Sequence, residues 1–251
     1  MQHKLLETWD KGNGAINAWL AIPNAITAEI AAMQDFDSVT IDLQHGLNDY
    51  QIALSMLQAV STSDKTAMVR VPWNEPGIIM KLLDAGALGV ICPMINTRAD
   101  AEAFVGACRY TPEGYRSAGP TRAMLIHGAD YIAKANDAVV TLAMIETREA
   151  LENVTDIVAT PGLTGIYVGP SDLSLSLGYG PGMDHTKPEM VTAIMQIRDA
   201  CKAAGIKIGI HCGSTEYARK MIAEGFDLTT ISSDLRAYAA AMGQITTEMR
   251  A

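Results

Sequence analysis

The sequence predicts one domain, residues 1–251, folded as a (β/α)8 TIM barrel, and three observations carry that prediction. Short β-branched or apolar runs recur eight times, each followed by a helical pattern. The runs are four to eight residues long, the length of buried parallel strands rather than of helices. No Ser/Pro-rich linker, charge block or low-complexity stretch divides the 251 residues, and a closed α/β barrel commonly uses about 250 as one unit.

The predicted strands are Ala15–Ile22, Ser38–Gln44, Thr66–Pro72, Gly89–Met94, Val139–Glu146, Gly165–Pro170, Lys207–Cys212 and Leu228–Ser233. Between them the helices carry end signals. Asn96 or Thr97 can cap a helix through Ala107, and Thr147 one through Val158. Pro188 suits a first helical turn, and Gly205 falls just past the end of that helix. Strand and helix in strict alternation imply parallel strands joined by helical crossovers. An open doubly wound sheet is the runner-up, disfavoured because no GxGxxG turn follows the first strand.

Composition narrows the function. With 49% hydrophobic and 19% charged residues this is an ordinary globular chain, its core resting on Ala, Ile, Leu, Val and fourteen Met. A net charge of −9 argues against nucleic acid, whose binding needs clustered Lys and Arg. It would also repel an anionic substrate at long range, so such a substrate needs local positive charge from an Arg or a metal ion. MQHKLLETWDKG has no apolar core of signal-peptide length, and no run reaches ~18 apolar residues, so no membrane association is expected. Cys92, Cys108, Cys201 and Cys212 show no CxxC spacing and read as reduced thiols of a cytoplasmic protein.

A barrel places its chemistry where strands end. The predicted ends offer Trp19 and Asn24; Asp42, Gln44 and His45; Arg70 and Trp73; Pro93, Met94 and Asn96; Glu146; Ser171 and Asp172; His211; and Ser232, Ser233 and Asp234. Glu146 and Asp172 fall at the tips of adjacent strands, ~4.8 Å apart in backbone. Two converging carboxylates repel unless they share a proton or a cation, and a hard divalent ion takes one or two carboxylates plus waters and substrate oxygens. The alternative is that one caps a helix while the other faces solvent. Arg70 ends MVR within an apolar strand and needs a partner: a substrate oxyanion, an ion pair with Asp42, or both. His45 is an acid/base candidate that Asp84, in KLLDAG, could orient, although a lone histidine is more often structural. No lysine ends a strand, which argues against Schiff-base chemistry. No nucleotide cofactor is expected either. Arg122 reads as a solvated loop residue more readily than as one reaching a site across a subunit boundary, and His127 and His185 as surface or interface residues.

Taken together, IDLQHG, MVRVP, LLDAGALGVICPMI, RYTPEGYRS, MIET and YVGPSDLSLSLG resemble the HpcH/HpaI aldolases, in order, over nearly the whole chain. These are metal-dependent, class II pyruvate aldolases that cleave or form 4-hydroxy-2-oxo acids. The resemblance implies that Glu146 and Asp172 bind Mg²⁺, Mn²⁺ or Co²⁺ and that His45, paired with Asp84, is the acid/base. It implies that Arg70 contacts pyruvate and its enolate, that backbone N–H groups around Ser171–Asp172 hold the carboxylate, and that Trp19 forms pocket wall. It also implies a hexamer, a trimer of dimers, with exchanged C-terminal helices. Three positions depart from the common pattern. Leu43-Gln44 replace Gly-Glu before the histidine, Met144 stands where Gln is common, and His211, with Ile210, sits where members vary and lines an unspecified aldehyde pocket. Two other readings remain: a citrate-lyase-type acyl-CoA lyase, for which Arg98, Arg109 and Arg116 form the only loose basic cluster, and a non-catalytic pyruvate- or metal-binding barrel.

Overall fold

In the computed structural model, which describes residues 3–251, eight parallel strands pair in chain order and β1 closes on β8. Helix α1 (Lys4–Asp10) precedes β1 (Ala15–Leu20), followed by α2 (Ala25–Ala32), β2 (Ser38–Asp42), α3 (Tyr50–Val60), β3 (Thr66–Arg70) and α4 (Pro76–Asp84). Next come β4 (Gly89–Cys92), α5 (Arg98–Cys108), α6 (Thr121–His127), α7 (Tyr131–Ala138) and β5 (Val140–Ile145). The chain continues through α8 (Arg148–Glu152), α9 (Val154–Val158), β6 (Gly165–Val168), α10 (Pro170–Leu177) and α11 (Pro188–Ala204). It ends with β7 (Lys207–Cys212), α12 (Thr215–Ala223), β8 (Leu228–Ile231) and α13 (Asp234–Arg250). The (β/α)8 barrel is the predicted fold. Among the described residues no helix is long and apolar enough to cross a membrane.

Most strands stop about two residues short of the predicted ends, because the ladder lapses where the chain turns into each βα loop. Asp42 and Arg70 are thus the last paired residues of β2 and β3, while His45 and Glu146 lie just beyond their strands. The helix expected from Thr147 to Val158 is two short helices, α8 and α9, meeting at Asn153. Asn153 donates its side-chain amide to the Asn96 carbonyl at 2.9 Å, which ties the break to the neighbouring loop. Thr97, rather than Asn96, caps α5, in a reciprocal box with Asp100.

The period of two along a strand decides what faces the barrel interior. Trp19, Met68, Leu142, Met144, Tyr167 and Leu228 fill it, while Ala18, Val39, Ile41 and Val69 pack outward against the helices. Leu5 and Trp9 of α1 join the interior cluster and plug the end where strands begin. A polar layer sits within: the Asn17 carbonyl accepts from Ser38 and Thr40, and its amide donates to Thr230 at 2.9 Å. The same parity continued to the opposite end aims Asp42, Arg70, Glu146 and His211 at the mouth.

Candidate active site

A cavity of about 420 Å³ opens at the C-terminal ends of the strands, lined by Trp19, His45, Arg70, Asp172 and His211 among others. Register puts Asp42 beside Arg70, and the guanidinium grips the carboxylate twice, Nε at 2.8 Å and Nη2 at 2.6 Å. Asp42 also accepts from the Trp19 indole at 3.2 Å and from the Gln44 and His45 backbone at 3.0 and 3.4 Å. Burial alone would raise its pKa. The hydrogen bonds and charge of Arg70, with the backbone donors, outweigh burial and hold the carboxyl below its ordinary value. The Arg70 carbon lies 4.8 Å from the Trp19 ring centre. Its Nη1 group makes no protein hydrogen bond among the described residues and is left for the cavity.

Glu146 follows β5 and is 2% exposed. The register that pairs Met144 with Tyr167, carried two residues on, sets Glu146 beside Gly169. Its Oε1 accepts from the Met94 N–H at 2.7 Å. Met94 holds φ at +56°, an uncommon value for a residue with a side chain, and this bend presents its N–H. On the other side, a Cβ at Gly169 would lie 2.5 Å from Oε2 and 2.9 Å from the Glu146 Cβ, so the carboxylate occupies space that only glycine leaves. Burial chiefly, then the Asp172 charge, raise the Glu146 carboxyl to about 7 against the opposing Met94 bond. Asp172 sits on the first turn of α10, not on a strand tip, and is exposed at the cavity wall. Gly169 and Met144 line the cavity while Glu146 lies directly behind them.

This donor set fits a divalent cation. The Asp172 charge raises the Glu146 pKa, Glu146 is buried and makes no ion pair among the described residues, and no third ligand stands by: among the described residues no group of three His, Cys, Asp or Glu gathers. Hard ions such as Mg²⁺ use that number of carboxylates and fill the rest with water and substrate oxygen.

His45 and Ser171 line the same cavity. His211 hydrogen-bonds through Nδ1 to the Tyr167 hydroxyl at 3.1 Å and packs edge-on to Trp19 with ring centres 5.0 Å apart. Burial first, then the Arg70 charge, push its imidazole down to about 4, so it is neutral at pH 7.

Asp84 lies apart from His45 within one chain. It ends α4, and because that helix runs back against the strands, its C-terminus lies on the opposite face of the barrel. There its carboxylate binds Arg116 at 2.7 Å, so within one chain it does not orient His45. Arg122 is also not a solvated loop residue: it belongs to α6 and donates to the Ala85 carbonyl and the Ser61 hydroxyl. Sequence reasoning passed over Gly169 and Tyr167, and gave Met94 a place at a strand end but no role. Gly169 stood in view as the glycine of YVGPSD, and inward parity marks Tyr167, but nothing in the sequence signals the Met94 bend.

The family model described as HpcH/HpaI aldolase/citrate lyase matches residues 16–241. The chain is 44% identical over 249 residues, 99% of each chain, to the hydroxypyruvate/pyruvate aldolase of Rhizorhabdus wittichii. It is 34% identical to the 4-hydroxy-2-oxo-heptane-1,7-dioate aldolase of Salmonella dublin, over 97% of this chain and 95% of that one. A solved HpcH/HpaI aldolase/citrate lyase family protein of Burkholderia cenocepacia superposes with a TM-score of 0.91 at 31% identity, covering 98% of both chains. The chain belongs to the HpcH/HpaI aldolase/citrate lyase family, and it is a lyase.

Proposed function

We propose that the protein is a class II pyruvate aldolase, which reversibly cleaves 4-hydroxy-2-oxo acids to pyruvate and an aldehyde with a divalent metal ion. The observation that carries this reading is the Glu146–Asp172 pair beside a cavity that also presents Arg70 and His45. The 44% identical relative is named for hydroxypyruvate as well as pyruvate, and we extend the donor to both.

Glu146 and Asp172 would hold Mg²⁺, Mn²⁺ or Co²⁺, which when bound supplies Lewis acidity toward the keto acid. The remaining work falls to the chain. The Ser171 and Asp172 backbone N–H groups, at the N-terminus of α10, bind the keto acid's carboxylate. The free Nη1 of Arg70 donates to the keto oxygen, most strongly as that oxygen gains charge. His45 takes the proton of the C4 hydroxyl as the C3–C4 bond breaks. The aldehyde leaves, the bonding pair becomes the pyruvate enolate, and a proton returned to C3 completes the step. Trp19 and Tyr167 stack with ring centres 5.7 Å apart and wall the site from water, and His211 stands beside them toward the aldehyde.

Exhaustive chelation abolishes turnover in this reading, and Mg²⁺, Mn²⁺ or Co²⁺ restores it; activity that survives chelation refutes the metal assignment. His45→Ala lowers aldol cleavage by roughly 10²–10⁴-fold while some exchange of pyruvate methyl protons with solvent persists. Equal loss of both would move His45 to a different role. The acyl-CoA alternative loses its basic cluster: Arg109 and Arg116 are each 4% exposed and committed to internal partners, and Arg98 pairs with Glu102. A non-catalytic barrel would give no pyruvate proton exchange at all.

We also assign a hexameric assembly with exchanged C-terminal helices. Helix α13 buries none of its side chains, and Leu235, Tyr238, Met242, Ile245 and Met249 form an exposed stripe at alternating spacings of three and four. Such a stripe needs a second helix-sized apolar surface to cover it. Light scattering is expected to report six times 26.8 kDa; a monomer or any smaller assembly at micromolar concentration overturns the assignment.

A further inference from the structure

We infer that Arg236 selects acceptor aldehydes that carry a carboxylate at the end remote from the reacting carbonyl. This rests on the aldolase reading above and adds a substrate class to it.

Arg236 lies on the first turn of α13 and lines the cavity together with Ser232, Ser233 and Met183. The helix buries none of its side chains, Arg236 included, but its root is fixed. Ser233 caps it, accepting from the Arg236 N–H at 3.4 Å, and Asp234 accepts from the Ala21 and Ile22 backbone at 2.7 and 3.2 Å, just past β1. Arg236 is therefore held at the mouth by groups other than its own side chain.

Its charge is uncommitted. Two arginines line the cavity and no lysine does. Arg70 gives Nε and Nη2 to Asp42 and keeps only Nη1 for the keto acid, whereas the Arg236 guanidinium has no ion pair or hydrogen bond among the described residues. Asp234, two residues before it, uses its carboxylate on backbone donors, Leu235 N–H at 2.7 Å included. The charge also reaches inward: after burial, Arg70 and closer groups, Arg236 is among the influences that lower the His211 pKa.

The rim is thus polarised: Glu146 and Asp172 follow β5 and β6, whereas the unpaired guanidinium follows β8, with His211 of β7 between them. A keto acid at the acidic end, through the divalent ion, leaves space in about 420 Å³ for the aldehyde to extend past His211 toward Arg236. An uncharged aldehyde gains nothing there, while a terminal carboxylate meets a forked donor suited to its geometry. In a chain of net charge −9, that local cation also offsets the long-range repulsion of an anionic substrate.

The test compares kcat/KM for 4-oxobutanoate and for butanal, each with pyruvate and Mn²⁺, in the intact enzyme. The wild type favours 4-oxobutanoate, and Arg236→Gln lowers the ratio of the two about tenfold, mostly through KM, the scale of a charge-assisted contact. Arg236→Lys recovers part of the ratio. High salt lowers the ratio in the wild type and not in Arg236→Gln. An unchanged ratio in Arg236→Gln, or a wild type that does not distinguish the two aldehydes, overturns the inference. Pyruvate proton exchange, read without any aldehyde, separates the two levels: its absence refutes the aldolase reading, and its presence with an unmoved ratio refutes only the role of Arg236.

Discussion

Arg70→Ala loses pyruvate proton exchange, with kcat down by roughly 10²–10³-fold, and melts at a lower temperature than the wild type. The two losses have separate causes. In the proposed reaction, exchange fails because the Nη1 donors assigned to the keto oxygen are gone. Stability falls because Asp42, 2% exposed, keeps its charge with no cation beside it. Removing one member of a buried pair typically costs about 3–5 kcal/mol, which for a chain of this size is a drop of roughly 6–20 °C. The Trp19, Gln44 and His45 donors to Asp42 remain and soften the loss toward the lower figure. The double variant Asp42→Leu/Arg70→Met separates the effects: it regains most of the stability, since no charge is left buried, and none of the exchange. Calorimetry and deuterium exchange by NMR measure both. If the double variant recovered exchange, Arg70 would be structural only.

Gly169→Ala weakens Mn²⁺ binding about 10- to 100-fold, and Glu146→Gln weakens it further. The alanine methyl would stand 2.5 Å from the Glu146 Oε2 and 3.0 Å from the Met144 Cε, so the carboxylate must turn away from the position that the Met94 N–H fixes. Electron paramagnetic resonance of free Mn²⁺ reads the affinity without any turnover. The pH dependence has a definite sign. With the Glu146 carboxyl raised to about 7 by burial and Asp172, the ion competes with a proton below that value. Affinity therefore rises with pH, by at most tenfold per unit, and levels off above about 7. An affinity that is flat across that range, or untouched by Gly169→Ala, would remove Glu146 from the metal site.

The barrel was legible because its signals are local. Strand length, the β-branched apolar runs and the caps at Thr97, Thr147 and Gly205 each act within a few residues. Position at the strand ends then placed Asp42, Arg70, Glu146 and His211 on one rim. Less was legible where direction or distance mattered. The sequence does not show that a returning helix carries Asp84 to the other face of its own barrel, where it binds Arg116. Strand ends ran long because apolar character continues past the last ladder bond.

By itself, then, the sequence determined the closed barrel, the rim on which the acids, the arginine and the histidine gather, and the family. Only the tertiary structure decided that Asp42 takes half of the Arg70 fork, that Met94 and Gly169 position Glu146, and that Arg236 stands uncommitted at the mouth. The reason is range. Period and propensity are set by neighbours along the chain, whereas a carboxylate's partner is set by groups that closure of the barrel brings within 3 Å from dozens of residues away.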